Sequence, residues 1–205
     1  MKVLIVYYSR YGHVLQLARA VEKGVKSVQG VEAVLRRVAE FPDEEAEVQK
    51  GKHSKPVWEQ QKDIPVCTLD DLKAADGIIW GTPTRYGNMI AQMKRLIDST
   101  GGLWMEGALE GKPTGVFAST ASTHGGQETT MLSMVPPLLH LGMIIVGVPY
   151  STPGLLHTDG RGGTPYGPTT VAGPENTRKP TPEELGVAEV LGKRVAEITK
   201  ALRAK

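Results

Sequence analysis

The chain has 205 residues, 24 Lys and Arg against 22 Asp and Glu, one cysteine and 40% hydrophobic residues. A formal charge of +2 makes no case for nucleic acid, a lone Cys67 excludes an internal disulfide framework or thiolate metal cluster, and no apolar run approaches the roughly 18 residues of a membrane span. The start, Met1–Tyr8, lacks the long apolar region and cleavage site of a signal peptide, so the expected address is cytoplasmic and the expected organisation one domain over residues 1–205.

Val3–Tyr8 is a continuous apolar run and predicts a strand buried on both faces. After the turn Ser9–His13, apolar residues at Val14, Leu17, Ala18, Val21, Val25 and Val28 mark one face of a helix. Val31–Val38 suits a second strand. Residues 40–66 are charged and Gln-rich, with Pro42, Pro56 and Pro65, and are expected to form a surface insertion, partly disordered; Trp58 is unusual there and suggests packing on the domain or on another subunit. Thr68 and Asp71 signal a helix start.

Gly77–Pro83 reads as the next buried strand, and Asn88 as the cap of a helix with the stripe Met89, Met93, Leu96 and Ile97. Gly115–Ser119 is a strand. Gln127–His140 is a helix expected to bend or break at Pro136-Pro137, and Met143–Val148 is the fifth strand. Residues 151–180 lack apolar periodicity, a length usually functional or disordered. Thr181, Pro182 and Glu184 then open a helix with the stripe Val187, Leu191, Val195, Ile198 and Leu202.

Five strand–helix alternations predict an α/β fold: a doubly wound, five-stranded parallel sheet of flavodoxin-like order 2-1-3-4-5, helices on both faces. Ligands of such sheets lie beyond the carboxyl ends of the strands, at the switch point between strands 1 and 3. The first loop there, Ser9, Arg10, Tyr11, Gly12, His13 and Val14, enters a helix N-terminus. It reads either as an anion site of free amides or as an ordinary turn capped by Ser9. No G-x-G-x-x-G, no Walker lysine motif and no acidic cluster follows strand 1. A phosphate held there without metal is a monophosphate on backbone donors, which fits flavin mononucleotide, FMN.

The second loop carries Pro83, Thr84, Arg85 and Tyr86, along which a planar ring could lie; the bland alternative is a turn capped by Asn88. The third, Ser119, Thr120, Ala121, Ser122, Thr123, His124 and Gly125, is rich in hydroxyls and suits either a ring edge or a flexible polar turn. Trp104, among glycines, reads as core or as the mouth of a pocket, and His140 as a helix C-terminal partner.

Together, Tyr7–His13, Gly81–Met89, Gln92-Met93, Thr100–Trp104, Gly125–Glu128 and Arg161–Gly167 resemble the tryptophan-repressor-binding-protein (WrbA) family of FMN-dependent NAD(P)H:quinone oxidoreductases. The resemblance implies that Ser9–Val14 cradle the FMN phosphate, that Thr84, Arg85 and Tyr86 line the isoalloxazine with Ser119–Gly125 completing the site, and that Tyr11 touches the nicotinamide nucleotide. It also implies that Trp104 and His140 border the pocket for nicotinamide or quinone, and that the chain forms a homotetramer. The expected reaction is ping-pong: NADH or NADPH passes a hydride to the flavin, leaves, and a quinone takes two electrons at the same place. Expected partners are these small molecules and further copies of the chain, with no nucleic acid, no metal and no integral membrane association. The alternative is a flavodoxin-type one-electron carrier, which a net charge of +2 and the long 151–180 loop disfavour.

Overall fold

The computed structural model describes residues 1–203. In chain order the elements are β1 (Lys2–Tyr7), α1 (His13–Lys26), β2 (Glu32–Arg37), α2 (Glu45–Lys50), α3 (Lys55–Gln61), α4 (Leu69–Ala74), β3 (Gly77–Arg85), β4 (Asn88–Met89), α5 (Ala91–Asp98), α6 (Gly101–Met105), β5 (Pro113–Thr120), α7 (Gln127–His140), β6 (Ile144–Ile145), β7 (Thr169–Val171) and α8 (Pro182–Arg203). The main sheet runs β2-β1-β3-β5-β6 in parallel. This is the expected 2-1-3-4-5 order once β4, a short antiparallel partner of β3, is set aside.

Side-chain alternation along β1 divides the core. Val3, Ile5 and Tyr7 pack with α1 and α8, against Val21, Val25, Leu191 and Val195. Leu4, Val6 and Tyr8 pack on the other side with residues of α4, α5, α6 and α7, among them Leu72, Met93, Leu103 and Met134. Both faces are buried, which is why the strand reads as an unbroken apolar run. α1 and α8 touch backbone to backbone. A Cβ added at Gly24 would lie 2.0 Å from the Glu189 carbonyl oxygen, and one at Gly192 would lie 2.1 Å from that of Val21.

Four expectations need correction. Asn88 caps no helix: it belongs to β4, its Oδ1 accepts from its own neighbour Met89 N–H at 2.8 Å, and α5 begins after Ile90. The insertion is ordered as α2 and α3, because Val48 and Val57 are buried and Trp58 packs on the domain, its ring 4.9 Å beneath the Arg37 guanidinium. α7 stays continuous through Pro136-Pro137, whose fixed φ is itself helical, so each proline removes a donor without ending the helix.

The fifth strand is the remaining correction. Only Ile144–Ile145 pairs with β5, at Pro113 and Thr114. Val148 N–H instead reaches the Pro165 carbonyl at 2.9 Å. Burial of Val146 and Val148 makes the run look like strand without requiring sheet pairing. The C-terminal half of that edge is filled by β7, from the long loop, against Ala118–Thr120. Among the described residues no helix is long and apolar enough to cross a membrane.

Candidate active site

The chain leaves β1 into α1 on one face of the sheet and leaves β3 toward α5 on the other. Between those exits lies an open cleft. It is lined by Ser9, Arg10, Tyr11, His13 and Val14 from the first loop, Pro83, Thr84 and Arg85 from the second, and Ser119, Thr120 and Ala121 from the third. Ala172 and Asn176 from the long loop close one side. No carboxylate lines it.

The first loop is a compact donor array. Gly12 is the α1 N-cap with φ 91°, a left-handed conformation that its missing Cβ permits. The Ser9 hydroxyl accepts from Gly12 N–H and Leu15 N–H, both at 3.2 Å. Among the described residues, the amides of Arg10, Tyr11, His13 and Val14 donate to no protein acceptor. Four free N–H groups at a helix N-terminus, with no carboxylate among the described residues that line the cleft, fit a dianionic phosphate. Both readings of Ser9 therefore hold at once: it caps the turn, and the neighbouring amides stay open.

His13 and Arg10 contribute less charge than their types suggest. His13 is buried with Nε2 2.9 Å from the Arg178 carbonyl oxygen. Burial holds its pKa below the ordinary 6.5, more than offsetting the help from that carbonyl. As a neutral ring it donates Nε2–H to Arg178. The Arg10 guanidinium is paired with Glu44 at 3.5 Å and Glu47 at 2.5 Å, which offset its charge.

The second and third loops are joined by backbone. A Cβ on Gly126 would sit 2.7 Å from the Gly87 Cα. Thr84 Oγ1 accepts from Gly87 N–H at 3.2 Å and from the Thr130 hydroxyl at 2.7 Å. Tyr86, at φ 53°, and Gly87, at φ 76°, make the tight turn into β4, and the Tyr86 ring is fully exposed. It lines a groove that shares Arg10 and Arg85 with the cleft. Ser119–Ala121 face the cleft, whereas Ser122, Thr123, His124 and Gly125 lie outside its lining. Thr123 instead donates to the Gly160 carbonyl at 3.1 Å.

Trp104 and His140 stand elsewhere. His140 ends α7 four residues before Ile144, which pairs with Pro113 at the start of β5, while the cleft is at the end of that strand. Trp104 is two residues from Glu106, whose carboxylate pairs with Lys73 at the end of α4. The segments that carry them therefore run toward the amino-terminal ends of the strands, and the cleft lies beyond the carboxyl ends. Trp104 is 57% exposed, alongside Met105 at 76% and Leu139 at 56%.

Sequence reasoning missed the anchor of the long loop. The Glu184 carboxylate is fully buried and accepts from Gly162 N–H at 2.7 Å, the Thr170 hydroxyl at 2.9 Å, Thr181 N–H at 2.8 Å and both Arg178 guanidinium nitrogens at 3.0 and 3.1 Å. Burial opposes its charge, but the Arg178 bonds and these donors outweigh it and hold its pKa below the ordinary 4.5. The visible signal was only the capping box: Glu184 N–H returns the bond to the Thr181 hydroxyl at 3.2 Å.

The model of the NADPH-dependent FMN reductase family matches residues 1–154. A NAD(P)H dehydrogenase (quinone) from Solidesulfovibrio magneticus is 51% identical over 208 residues, covering 100% of each chain. One of the same name from Syntrophobacter fumaroxidans is 52% identical over 203 residues, 98% of each. Among solved structures, a flavodoxin, WrbA-like protein from Agrobacterium tumefaciens superposes with a TM-score of 0.67 at 24% identity, covering 98% of each chain.

Proposed function

Because the chain belongs to the NADPH-dependent FMN reductase family, we propose that its cleft holds FMN and that NAD(P)H and a quinone take turns against the bound ring. The protein is an FMN-dependent NAD(P)H:quinone oxidoreductase. When bound, FMN would supply the redox chemistry: it would accept a hydride from NAD(P)H and a proton from solvent, and a quinone would leave as hydroquinone with those two electrons and two protons. The observation that carries the reading is the convergence of three loops on one carboxylate-free cleft with four free amides.

The protein's own part is to bind, orient and shelter. The amides of Arg10, Tyr11, His13 and Val14 take the phosphate. Thr84, Arg85 and Tyr86 form one wall for the ring, and Ser119–Ala121 the facing wall. Tyr11, 38% exposed at the rim, meets the nicotinamide nucleotide. Trp104 and His140 serve the cleft of a second copy, since they lie away from their own. The exposed Trp104, Met105 and Leu139 supply the apolar contact for that association, which we take to the homotetramer. The partner-borne Trp104 then covers the substrate's place.

The test is one cuvette. Purified protein with added FMN is expected to bleach in the visible on NAD(P)H and to regain its colour on benzoquinone. Protein that takes up FMN yet is not reduced by NAD(P)H would refute the oxidoreductase reading and favour an electron carrier.

A further inference from the structure

The α2–α3 segment lines no part of the cleft, yet it grips the first loop from behind. Gln61, the last residue of α3, is 5% exposed and donates Nε2–H to the Ser9 carbonyl at 2.8 Å. Val57, one turn earlier, packs on Gly12, where an added Cβ would lie 3.3 Å from Val57 Cγ2. A carbonyl only accepts, so the Gln61 nitrogen must face Ser9. That orientation turns Oε1 into a hollow lined by Tyr8, Arg37, Val38, Glu40, Val48 and Trp58, where no protein donor among the described residues reaches it.

We propose that Gln61 is a positioning residue for the cofactor phosphate, acting through the Ser9–Arg10 peptide. In a planar trans peptide the carbonyl and the following N–H point in opposite directions. Drawing the Ser9 carbonyl back toward α3 aims the Arg10 N–H forward into the cleft. The same segment pairs the Arg10 guanidinium with Glu44 and Glu47. The insertion thus occupies the Arg10 guanidinium with carboxylates and fixes the Arg10 N–H as a backbone donor. The inference rests on the FMN reading of the cleft and says which part of the molecule shapes its phosphate end.

The experiment compares FMN with riboflavin, which carries the same ring without the phosphate. Apoprotein is titrated with each and flavin fluorescence quenching read, for the native chain and for Gln61→Leu, with apoprotein melting measured alongside. The expected result is an FMN Kd raised about tenfold, the scale of one charge-assisted hydrogen bond, with riboflavin affinity unchanged. Gln61→Met fills the same space and is expected to behave identically, and it carries the comparison should Gln61→Leu not fold. Equal losses for FMN and riboflavin, or no loss for either, overturn the inference. Native protein that binds no FMN at all overturns the cofactor reading and this inference together; unaltered FMN binding by the variants overturns the inference alone.

Discussion

The His13 Nε2 lies 2.9 Å from the Arg178 carbonyl oxygen, and this bond joins the start of α1 to the loop that walls the cleft. The ring is buried and its pKa is lowered, so the unfolded chain binds the proton more readily than the folded one. Stability from the neutral ring is therefore complete above the ordinary 6.5 and is lost as pH falls through the lower folded value. Apoprotein melting temperature is expected to drop on acidification below about pH 6.5, and to drop less in His13→Asn, whose amide can still donate but does not titrate. Glu184 falls in a separate window, since its depressed pKa makes its stabilisation fade only below the ordinary 4.5. Parallel melting curves for the two proteins between pH 7.5 and 5.5 would remove His13 from the account.

Glu184 ties Gly162, Thr170, Arg178 and Thr181 to one buried carboxylate. Replacement by Gln keeps the shape but leaves Arg178 without its counter-charge and turns an NH2 group toward donors. Glu184→Gln is expected to cost about 3 kcal/mol or more in denaturant unfolding. It should also open residues 156–178 to limited proteolysis before global unfolding. Retention of native protease resistance would show that β7 pairing alone holds the loop.

These two residues mark where sequence legibility ended. Val3–Tyr8 was readable because a strand buried on both faces needs no alternation, and Thr68–Asp71 and Thr181–Glu184 because a capping box is local chemistry. The three cleft loops followed from topology, since parallel strands put their carboxyl ends on one edge. Asn88 misled because its side chain serves a neighbouring amide in a turn as readily as it caps a helix. The 40–66 segment misled because its apolar residues are few; Val48, Val57 and Ile64 are buried but form no periodic stripe. β7 is three residues long and takes its place from long-range pairing with Ala118–Thr120. The four remaining donors on Glu184 likewise lie up to 22 residues away.

Tyr86 occupies a left-handed conformation at φ 53° with its ring in solvent. Nothing in the protein compensates a bulky residue for that backbone, which costs of order 1 kcal/mol. Asn adopts it more readily. Tyr86→Asn is expected to raise apoprotein stability by up to about 1 kcal/mol while weakening FMN or quinone use, because the aromatic wall is gone. Denaturant unfolding and flavin titration read the two halves separately. A variant that gains stability and keeps native affinity and turnover would leave Tyr86 without a functional role.

Gly24 and Gly192 let α1 and α8 meet backbone to backbone. A methyl at either would fall about 2 Å from a carbonyl oxygen, so a helix must move rather than a side chain. Gly24→Ala and Gly192→Ala are each expected to destabilise by about 1–3 kcal/mol or more, despite alanine's better helix propensity. Because each clash is at the same helix pair, separating the helices for one relieves the other. The double variant should therefore cost less than the sum of the singles. Additive losses would mean that the two contacts yield independently.

Trp104 lies on the segment leading to the amino-terminal end of β5 and the cleft beyond the strands' carboxyl ends, so its proposed role is testable by mixing subunits. Trp104→Ala should leave FMN affinity intact and impair turnover with NAD(P)H and quinone if, as proposed, the residue meets substrate rather than cofactor. Ala121→Trp should block the cleft from within, since Ala121 lines it, while its own Trp104 remains free to serve a neighbour. Each homo-oligomer is then defective for a different reason. Unfolded and refolded together, a fraction of mixed assemblies would join an intact cleft from the first variant to an intact Trp104 from the second. Activity of the mixture is expected to exceed the sum of the parts. A mixture no more active than its components, with hybrid assembly verified by native mass spectrometry, would confine Trp104 to its own chain and leave only a packing role for it.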